Sequence, residues 1–141
     1  MHWPGISGSL QRVNTDAEEH ALIRSIQQEH FNRGFIDIGY NHVLLPNWDR
    51  RMQSANIYTA RGAQYLPAAQ GGHNTGTLSI CVMIGITDPL IGDVKSRLRS
   101  YVRWAEDYTG RELRVRPHRA VNQTECPGDK LAAYVPTLDR V

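Results

Sequence analysis

Residues 33–44 of the chain read RGFIDIGYNHVL, and this stretch marks the change from a helical pattern to a strand pattern. Gly34 predicts the end of a helix, because glycine readily adopts the left-handed conformation that closes one. Residues 41–45 then predict a buried β-strand. Strand alternation puts Tyr40 and His42, two residues apart, on one face of the sheet. We therefore expect polar side chains to gather where this strand begins.

Helix and strand patterns continue on both sides of this stretch. Thr15 and Glu18 have the spacing of a capping box and predict a helix that runs to about Asn32. Downstream, the patterns predict strands at 56–59, 77–84 and 113–115, a long helix from 87–89 to 110, and a short helix at 127–135. The predicted fold class is α/β, with a central mixed β-sheet flanked by helices.

Composition narrows the functional classes. The 141 residues are 40% hydrophobic and 21% charged with a formal net charge of +2, which fits one globular domain. The weak charge and the lack of a basic-aromatic pattern disfavour a nucleic-acid partner. No apolar run approaches the roughly 20 residues of a membrane span, and the N-terminus lacks the features of a signal peptide. Cys81 lies in an apolar run and is expected to be a buried thiol, so a disulfide with Cys126 is disfavoured.

His118 and Cys126 form a candidate metal site. They stand eight residues apart in a loop that contains proline, and imidazole nitrogen and thiolate sulfur are zinc ligands. The alternative is a loop histidine and a buried thiol, and spacing alone leaves both readings open. Of the other histidines, His30 and His42 are expected to pack in the core, although His42 could also border a site. His20 is expected to face solvent, and His2 and His73 lie in loops or at strand ends, where functional groups concentrate.

Four segments resemble a known family. Residues 33–44 resemble the "RGW-x-DIGYHF" segment of the type 2, zinc-dependent N-acetylmuramoyl-L-alanine amidases, which share their fold with peptidoglycan recognition proteins. Residues 57–62 (IYTARG) resemble the strand and turn of that family, and residues 72–80 (GHNTGTLSI) resemble its "G-x-H…SIG" segment. Residues 117–129 resemble its "GHR…CPG" segment. The four segments occur in the family's order.

The resemblance implies one Zn²⁺ ion held by two histidines and a cysteine. His118 and Cys126 match the second histidine and the cysteine of the family. The first histidine ends the first strand in the family, and His2 is the candidate here. Only one residue precedes it, so we expect the first strand to be truncated. Tyr40 matches a catalytic or substrate-orienting tyrosine. Thr124 stands where some members have a lysine, and we expect its hydroxyl to assist catalysis.

The same resemblance also indicates a residue of the substrate groove and one position at which this chain differs from some members of the family. Some members have a glutamate general base in the strand after "SIG", and Cys81 stands at that position here. His73 matches a residue that lines the groove. Asn74 and Arg61 are further candidates for substrate binding, with loop solvation as the alternative, and His42 could border the site.

The expected function is hydrolysis of the amide between N-acetylmuramic acid and L-alanine in peptidoglycan. A non-catalytic peptidoglycan-binding module of the same fold is the main alternative, disfavoured by the presence of Cys126. A metal-free cysteine hydrolase using Cys126 and His118 is the third reading.

The biological setting is a further expectation. The chain is read as a single amidase domain, residues 1–141, either complete or excised from a longer lysin. We expect a monomeric phage endolysin, made in the host cytoplasm and acting at the cell wall after release, with a cytoplasmic recycling amidase as the alternative. Peptidoglycan is the expected partner, with no nucleic acid and no membrane.

Overall fold

The computed structural model describes residues 1–6, 8, 10, 12–46, 48 and 55–139. Its helices are α1 (Asp16–Asn32), α2 (Gly92–Thr109) and α3 (Asp129–Tyr134), and its strands are β1 (His42–Leu45), β2 (Asn56–Thr59) and β3 (Ile80–Val82). Two short 3₁₀ turns cover His118–Ala120 and Val135–Leu138. None of the helices in these ranges is long and apolar enough to cross a membrane.

Helix α1 begins and ends where the sequence predicts. The Thr15 hydroxyl accepts a hydrogen bond from the Glu18 amide at 3.3 Å, and the Glu18 carboxylate accepts one from the Thr15 amide at 3.0 Å. This reciprocal pair satisfies amides that the first helical turn leaves free. At the other end, Gly34 has a φ of +85°, which an L side chain rarely adopts, and the chain leaves the helix there.

The sheet is mixed and has the order β2-β1-β3. Strand β1 pairs antiparallel with β2 and parallel with β3, and the backbone of His2 adds a parallel bridge to Cys81 on the other side of β3. The predicted class, a mixed α/β domain with helices on the sheet, is confirmed.

Alternating side chains of the strands divide the core into two clusters. Leu44, Ile80 and Val82 lie in one cluster with apolar residues of α2 and α3. Val43, Leu45 and Cys81 lie in the other, against which partly buried residues of α1 pack. Burial on both faces explains why β1 and β3 read as almost continuous apolar runs. Cys81 and Cys126 are both free thiols, as expected.

Two element predictions are wrong because carboxylates take the backbone amides. Residues 113–115 form no strand: the Leu113 amide donates to Glu106 at 3.0 Å and the Val115 amide donates to Asp139 at 2.8 Å. Helix α2 begins at Gly92 rather than at 87–89. The Asp88 carboxylate accepts from loop amides of Leu10 and Gly85, at 2.9 and 2.8 Å, and so ties two loops together instead of capping the helix.

The prediction that Tyr40 and His42 share a face is also wrong. The amides of Asn41 and His42 both donate to the carbonyl oxygen of Ser79, at 3.0 and 3.1 Å. Because two successive amides share one acceptor, the backbone departs from regular alternation at Asn41. Tyr40 consequently packs against the Cys81 cluster, whereas the His42 ring meets Tyr101 of α2.

Candidate metal centre

His2, His118 and Cys126 meet at the edge of the sheet. One potential ligand atom from each residue lies within 4.8 Å of the other two, and the Cys126 sulfur is 3.8 Å from Nδ1 of His2. The two imidazole rings have centroids 4.5 Å apart. The structure thus brings together all three ligands that the sequence predicts.

Backbone hydrogen bonds hold these three residues in place. The His2 amide donates to Ile80 at 2.8 Å and its carbonyl accepts from Val82 at 2.9 Å, so the segment lies along β3. The His118 amide donates to the Met1 carbonyl at 3.1 Å, and the Arg119 amide donates to the Cys126 carbonyl at 2.8 Å. His2 is only 2% exposed. Its position therefore follows from pairing with the sheet, despite the short segment before it.

Gln70 determines which nitrogen of His2 is free. Its side-chain nitrogen lies 3.3 Å from the His73 carbonyl oxygen, which can only accept, so that end of the amide must be the donor. The other end, the oxygen, is 2.8 Å from Nε2 of His2. Nε2 must then carry the proton, and the lone pair of Nδ1 faces Cys126.

Asn122 does the same for His118. Its side-chain nitrogen donates to the Gly71 carbonyl at 3.0 Å, and its oxygen is 3.0 Å from Nε2 of His118. The proton of His118 is therefore also on Nε2, which leaves Nδ1 as the nitrogen with a lone pair. Neither Gln70 nor Asn122 is among the sequence candidates. The spacing of Asn122, four residues after His118, is the one local signal that pointed to it.

Burial keeps both histidines neutral. Desolvation is the main cause that lowers the pKa of His2 to about 3, and the nearby N-terminal ammonium lowers it further. Desolvation also lowers the pKa of His118. Burial raises the pKa of the Cys126 thiol, while the Trp3 amide, 3.4 Å from the sulfur, acts in the opposite direction. A bound cation removes the thiol proton, as in other metal-thiolate sites.

The donor set fits a zinc ion with an open position. Imidazole nitrogen and thiolate sulfur both bind zinc, and catalytic zinc sites have three protein ligands and a free fourth position. Tetrahedral coordination places such ligand atoms roughly 3.3–3.8 Å apart, so the group needs only a small contraction. His2 and His118 also open onto a recess of about 570 Å³, whose other polar lining residues include Gln70, His73, Thr75 and Thr77.

Tyr40 flanks this group. Its ring centroid is 5.4 Å from that of His2, and it packs in the same core cluster as Cys81. Burial raises the pKa of Tyr40 well above its ordinary value, and the Cys81 and Cys126 thiols add to the rise. The phenol therefore remains protonated and can donate a hydrogen bond. Tyr40 also lines a second recess, of about 300 Å³, together with Gly71 and Asn74.

Cys81 does not supply a general base to the site. It is completely buried, and desolvation raises the pKa of its thiol far above the usual value. The position that holds a glutamate in some members of the resembled family is therefore a neutral thiol here.

Thr124 and His73 lie beside the ligands. The Thr124 hydroxyl oxygen accepts a hydrogen bond from the Cys126 amide at 3.2 Å, which leaves its own proton available to a further acceptor. His73 is exposed and lines the larger recess, and its carbonyl accepts from Gln70.

The other three candidates for substrate binding are engaged elsewhere. Arg61 donates to the carbonyl oxygens of Asp37, Ile38 and Leu66, at 2.9–3.3 Å. The Asn74 oxygen accepts from two loop amides, at 3.0 and 3.1 Å. His42 is buried, with Nδ1 2.9 Å from the Tyr101 hydroxyl, and lies in a separate recess with Trp104. These contacts shape the loops and the core.

The packing expectations for two other histidines are confirmed. His30 is buried, and its Nδ1 accepts a hydrogen bond from the Gly39 amide at 2.8 Å. His20 is exposed on α1.

Comparison with known proteins identifies the fold. No protein-family model matches the chain, and no curated protein sequence matches it significantly. The structure of PGRP-SA from bumblebee is similar with a TM-score of 0.77 and 22% identity, over 96% of this chain and 77% of that one. N-acetylmuramoyl-L-alanine amidase LysC from Clostridium intestinale is similar with a TM-score of 0.66 and 20% identity, over 92% and 79%.

A third structure, a Drosophila PGRP-LB mutant in complex with tracheal cytotoxin, is similar with a TM-score of 0.73 and 21% identity, over 97% of this chain and 84% of that one. At these identities the likeness concerns the fold. The chain has the α/β fold of peptidoglycan recognition proteins and type 2 N-acetylmuramoyl-L-alanine amidases.

Proposed function

We propose that the chain is a zinc-dependent amidase that hydrolyses the bond between the lactyl group of N-acetylmuramic acid and L-alanine in peptidoglycan. The observation that carries this proposal is the convergence of His2, His118 and Cys126 on one point beside an open recess. A structural neighbour is named for this amidase activity. Another is in complex with tracheal cytotoxin, a monomeric diaminopimelic acid-type peptidoglycan, which supports a peptidoglycan ligand for this fold.

Zinc supplies a Lewis acid that polarises a carbonyl oxygen and activates water. His2 and His118 would contribute neutral imidazoles with a lone pair on Nδ1, and Cys126 would contribute a thiolate. Tyr40 remains protonated and donates to the oxygen that gains charge in the scissile amide. Thr124 is the second donor. One such donor is typically worth about 3 kcal/mol of transition-state stabilisation.

The recess has the dimensions and lining for a sugar-peptide ligand. Its volume of about 570 Å³ lies in the range of small-molecule pockets. His73 and Thr75 are exposed on its rim, and we assign them to substrate contact. Arg61, Asn74 and His42 act on the substrate only through the loops and core that they hold.

The biological form of this proposal is an endolysin that acts as a monomer. A solved structure similar to this chain, with a TM-score of 0.66 and 20% identity, is named as an endolysin amidase. As an endolysin, the protein would be synthesised in the cytoplasm of the host cell and would act on the cell wall after its release from the cytoplasm.

The test is hydrolysis of purified peptidoglycan by zinc-loaded protein. We expect new alanine amino groups, loss of activity in a strong chelator, and recovery with zinc. His118→Ala and Cys126→Ser should abolish activity and zinc retention, while His20→Ala, at an exposed histidine of α1, should change neither. Binding of peptidoglycan without any amine release would support the binding module instead. Full activity in the chelator would support a metal-free cysteine hydrolase and end the zinc proposal.

A further inference from the structure

We propose that Gln70 and Asn122 are positioning residues that hold His2 and His118 in the tautomer required for metal binding. The inference rests on the metal centre of the proposed function and names residues that set its geometry. It follows from the hydrogen bonds of two side-chain amides. The orientation of each amide is fixed first, and that orientation then fixes the position of the proton on the imidazole.

The first constraint is that each amide is anchored by a carbonyl. The Gln70 nitrogen faces the His73 carbonyl at 3.3 Å and the Thr77 hydroxyl at 2.7 Å. The Asn122 nitrogen faces the Gly71 carbonyl at 3.0 Å. A carbonyl oxygen cannot donate, so neither amide can be turned over without placing two acceptors against each other.

The second constraint is on the imidazoles. With the amides fixed, an oxygen faces Nε2 of each histidine, at 2.8 Å for His2 and 3.0 Å for His118. An imidazole that loses this acceptor is free to move its proton to Nδ1, and an Nδ1–H cannot bind a metal. Metal-binding histidines elsewhere depend on such an acceptor for orientation and basicity, and its removal typically costs about 10- to 100-fold in affinity.

Both anchors belong to one loop. His73 and Gly71 lie in the segment that also carries Gln70, and the same segment forms part of the wall of the recess. Gln70 is 8% exposed, so its amide has little access to water as a replacement partner. The loop that contacts substrate in the proposed function thus also sets the protonation pattern of both histidine ligands.

The experiment reads the tautomers directly in zinc-free protein by long-range ¹H–¹⁵N NMR of the imidazole nitrogens. We expect protonated Nε2 for both His2 and His118. Gln70→Met should release the preference at His2 and leave His118 unchanged, and Asn122→Leu should do the reverse. A purely structural role would disturb both rings or neither.

Zinc affinity, measured by competition with a chelating dye, is the second readout. Gln70→Met and Asn122→Leu should each weaken binding about 10- to 100-fold. Gln70→Glu keeps an acceptor facing His2 but places a second acceptor against the His73 carbonyl, so it should lose less affinity than Gln70→Met but more than Gln28→Met. Gln28→Met, a matched change on the exposed surface of α1, should have no effect.

The proposal is overturned if Nδ1 carries the proton in the wild-type protein, or if Gln70→Met binds zinc as tightly as the wild type. If Gln70→Met fails to fold, the tautomers of the wild type and the effect of Asn122→Leu still decide the question. The tautomer measurement needs neither zinc nor substrate. A failure of the amidase proposal, seen as peptidoglycan left intact by zinc-loaded wild type, is therefore distinguishable from a failure of this one.

Discussion

His2 and His42 are buried histidines on the same small sheet, with 2% and 6% of their surface exposed, and they face different surroundings. His2 is paired with Cys81 and His42 with Ile80, which are consecutive residues of β3 and point to opposite faces. The His2 ring is held by an amide oxygen and turns its lone pair toward Cys126. The His42 ring is held by the Tyr101 hydroxyl and meets the edge of Trp104.

The difference shows what converts a buried histidine into a ligand candidate. Burial lowers the pKa of both and makes both neutral, so desolvation does not distinguish them. Side chains of two further potential ligands, His118 and Cys126, lie close to His2, whereas His42 contacts aromatic rings and a phenol. The grouping of potential ligands, more than burial, separates the candidate metal side of the sheet, which carries His2, from its packing side, which carries His42.

The largest expected effect is the loss of zinc on His2→Ala. Removal of a ligand should weaken zinc binding by more than the roughly 10- to 100-fold cost of losing a ligand's hydrogen-bond partner. The matched His42→Ala should keep its zinc and lose stability. Metal content after gel filtration checks both. If His2→Ala retains a full equivalent of zinc, His2 is not a ligand.

On the packing side of the sheet, the largest loss in the free energy of unfolding is expected for Leu44→Ala. Leu44 is fully buried between the sheet and α2, and truncation of such a side chain costs about 2–5 kcal/mol of the free energy of unfolding. Urea denaturation measures the loss. The zinc affinity of the folded fraction should equal that of the wild type, and a coupled loss would mean that the two sides are not independent.

Tyr40, beside His2, and Tyr101, beside His42, allow the same comparison with a smaller change to the protein. Tyr40→Phe removes a donor beside the metal centre and should lower kcat by about 10²-fold with little change in stability. Tyr101→Phe removes the partner of His42 and should cost about 1 kcal/mol of stability while preserving kcat. Paired kinetic and unfolding measurements test this. The same profile from both variants would contradict the assignment.

The smallest effect is a pH dependence of stability in zinc-free protein. Burial lowers the pKa of His42 in the folded state, so the unfolded chain takes up its proton first as pH falls. The free energy of unfolding should therefore fall as pH drops below about 6.5, the ordinary histidine value. His42→Asn, whose oxygen can still accept from Tyr101, should show a shallower decline between pH 7.5 and 5.5. An unchanged slope would show that His42 does not contribute.

Local sequence chemistry predicted helix α1 and the short β1 and β2 strands, because their signals lie within a few residues. The capping box of Thr15 and Glu18 is an example. Predictions failed where a distant group took over a local role. Asp139 satisfies the Val115 amide from 24 residues away and replaces a strand partner there. The bend at Asn41, where two successive amides donate to the carbonyl of Ser79 just before β3, reversed the expected relation of Tyr40 and His42.

The sequence by itself determined the alternation of helices and strands and the donor types at His2, His118 and Cys126, because periodicity, caps and ligand chemistry are properties of neighbouring residues. The family resemblance implied that these three side chains meet, but only the tertiary structure brings them within reach and places Gln70 and Asn122 in hydrogen-bond contact with the two imidazoles. Gln70 and His2 are 68 residues apart, and Asn122 and Gly71 are 51 apart. Such contacts arise from the packing of loops against a sheet edge, and no local pattern encodes the direction in which a side-chain amide points.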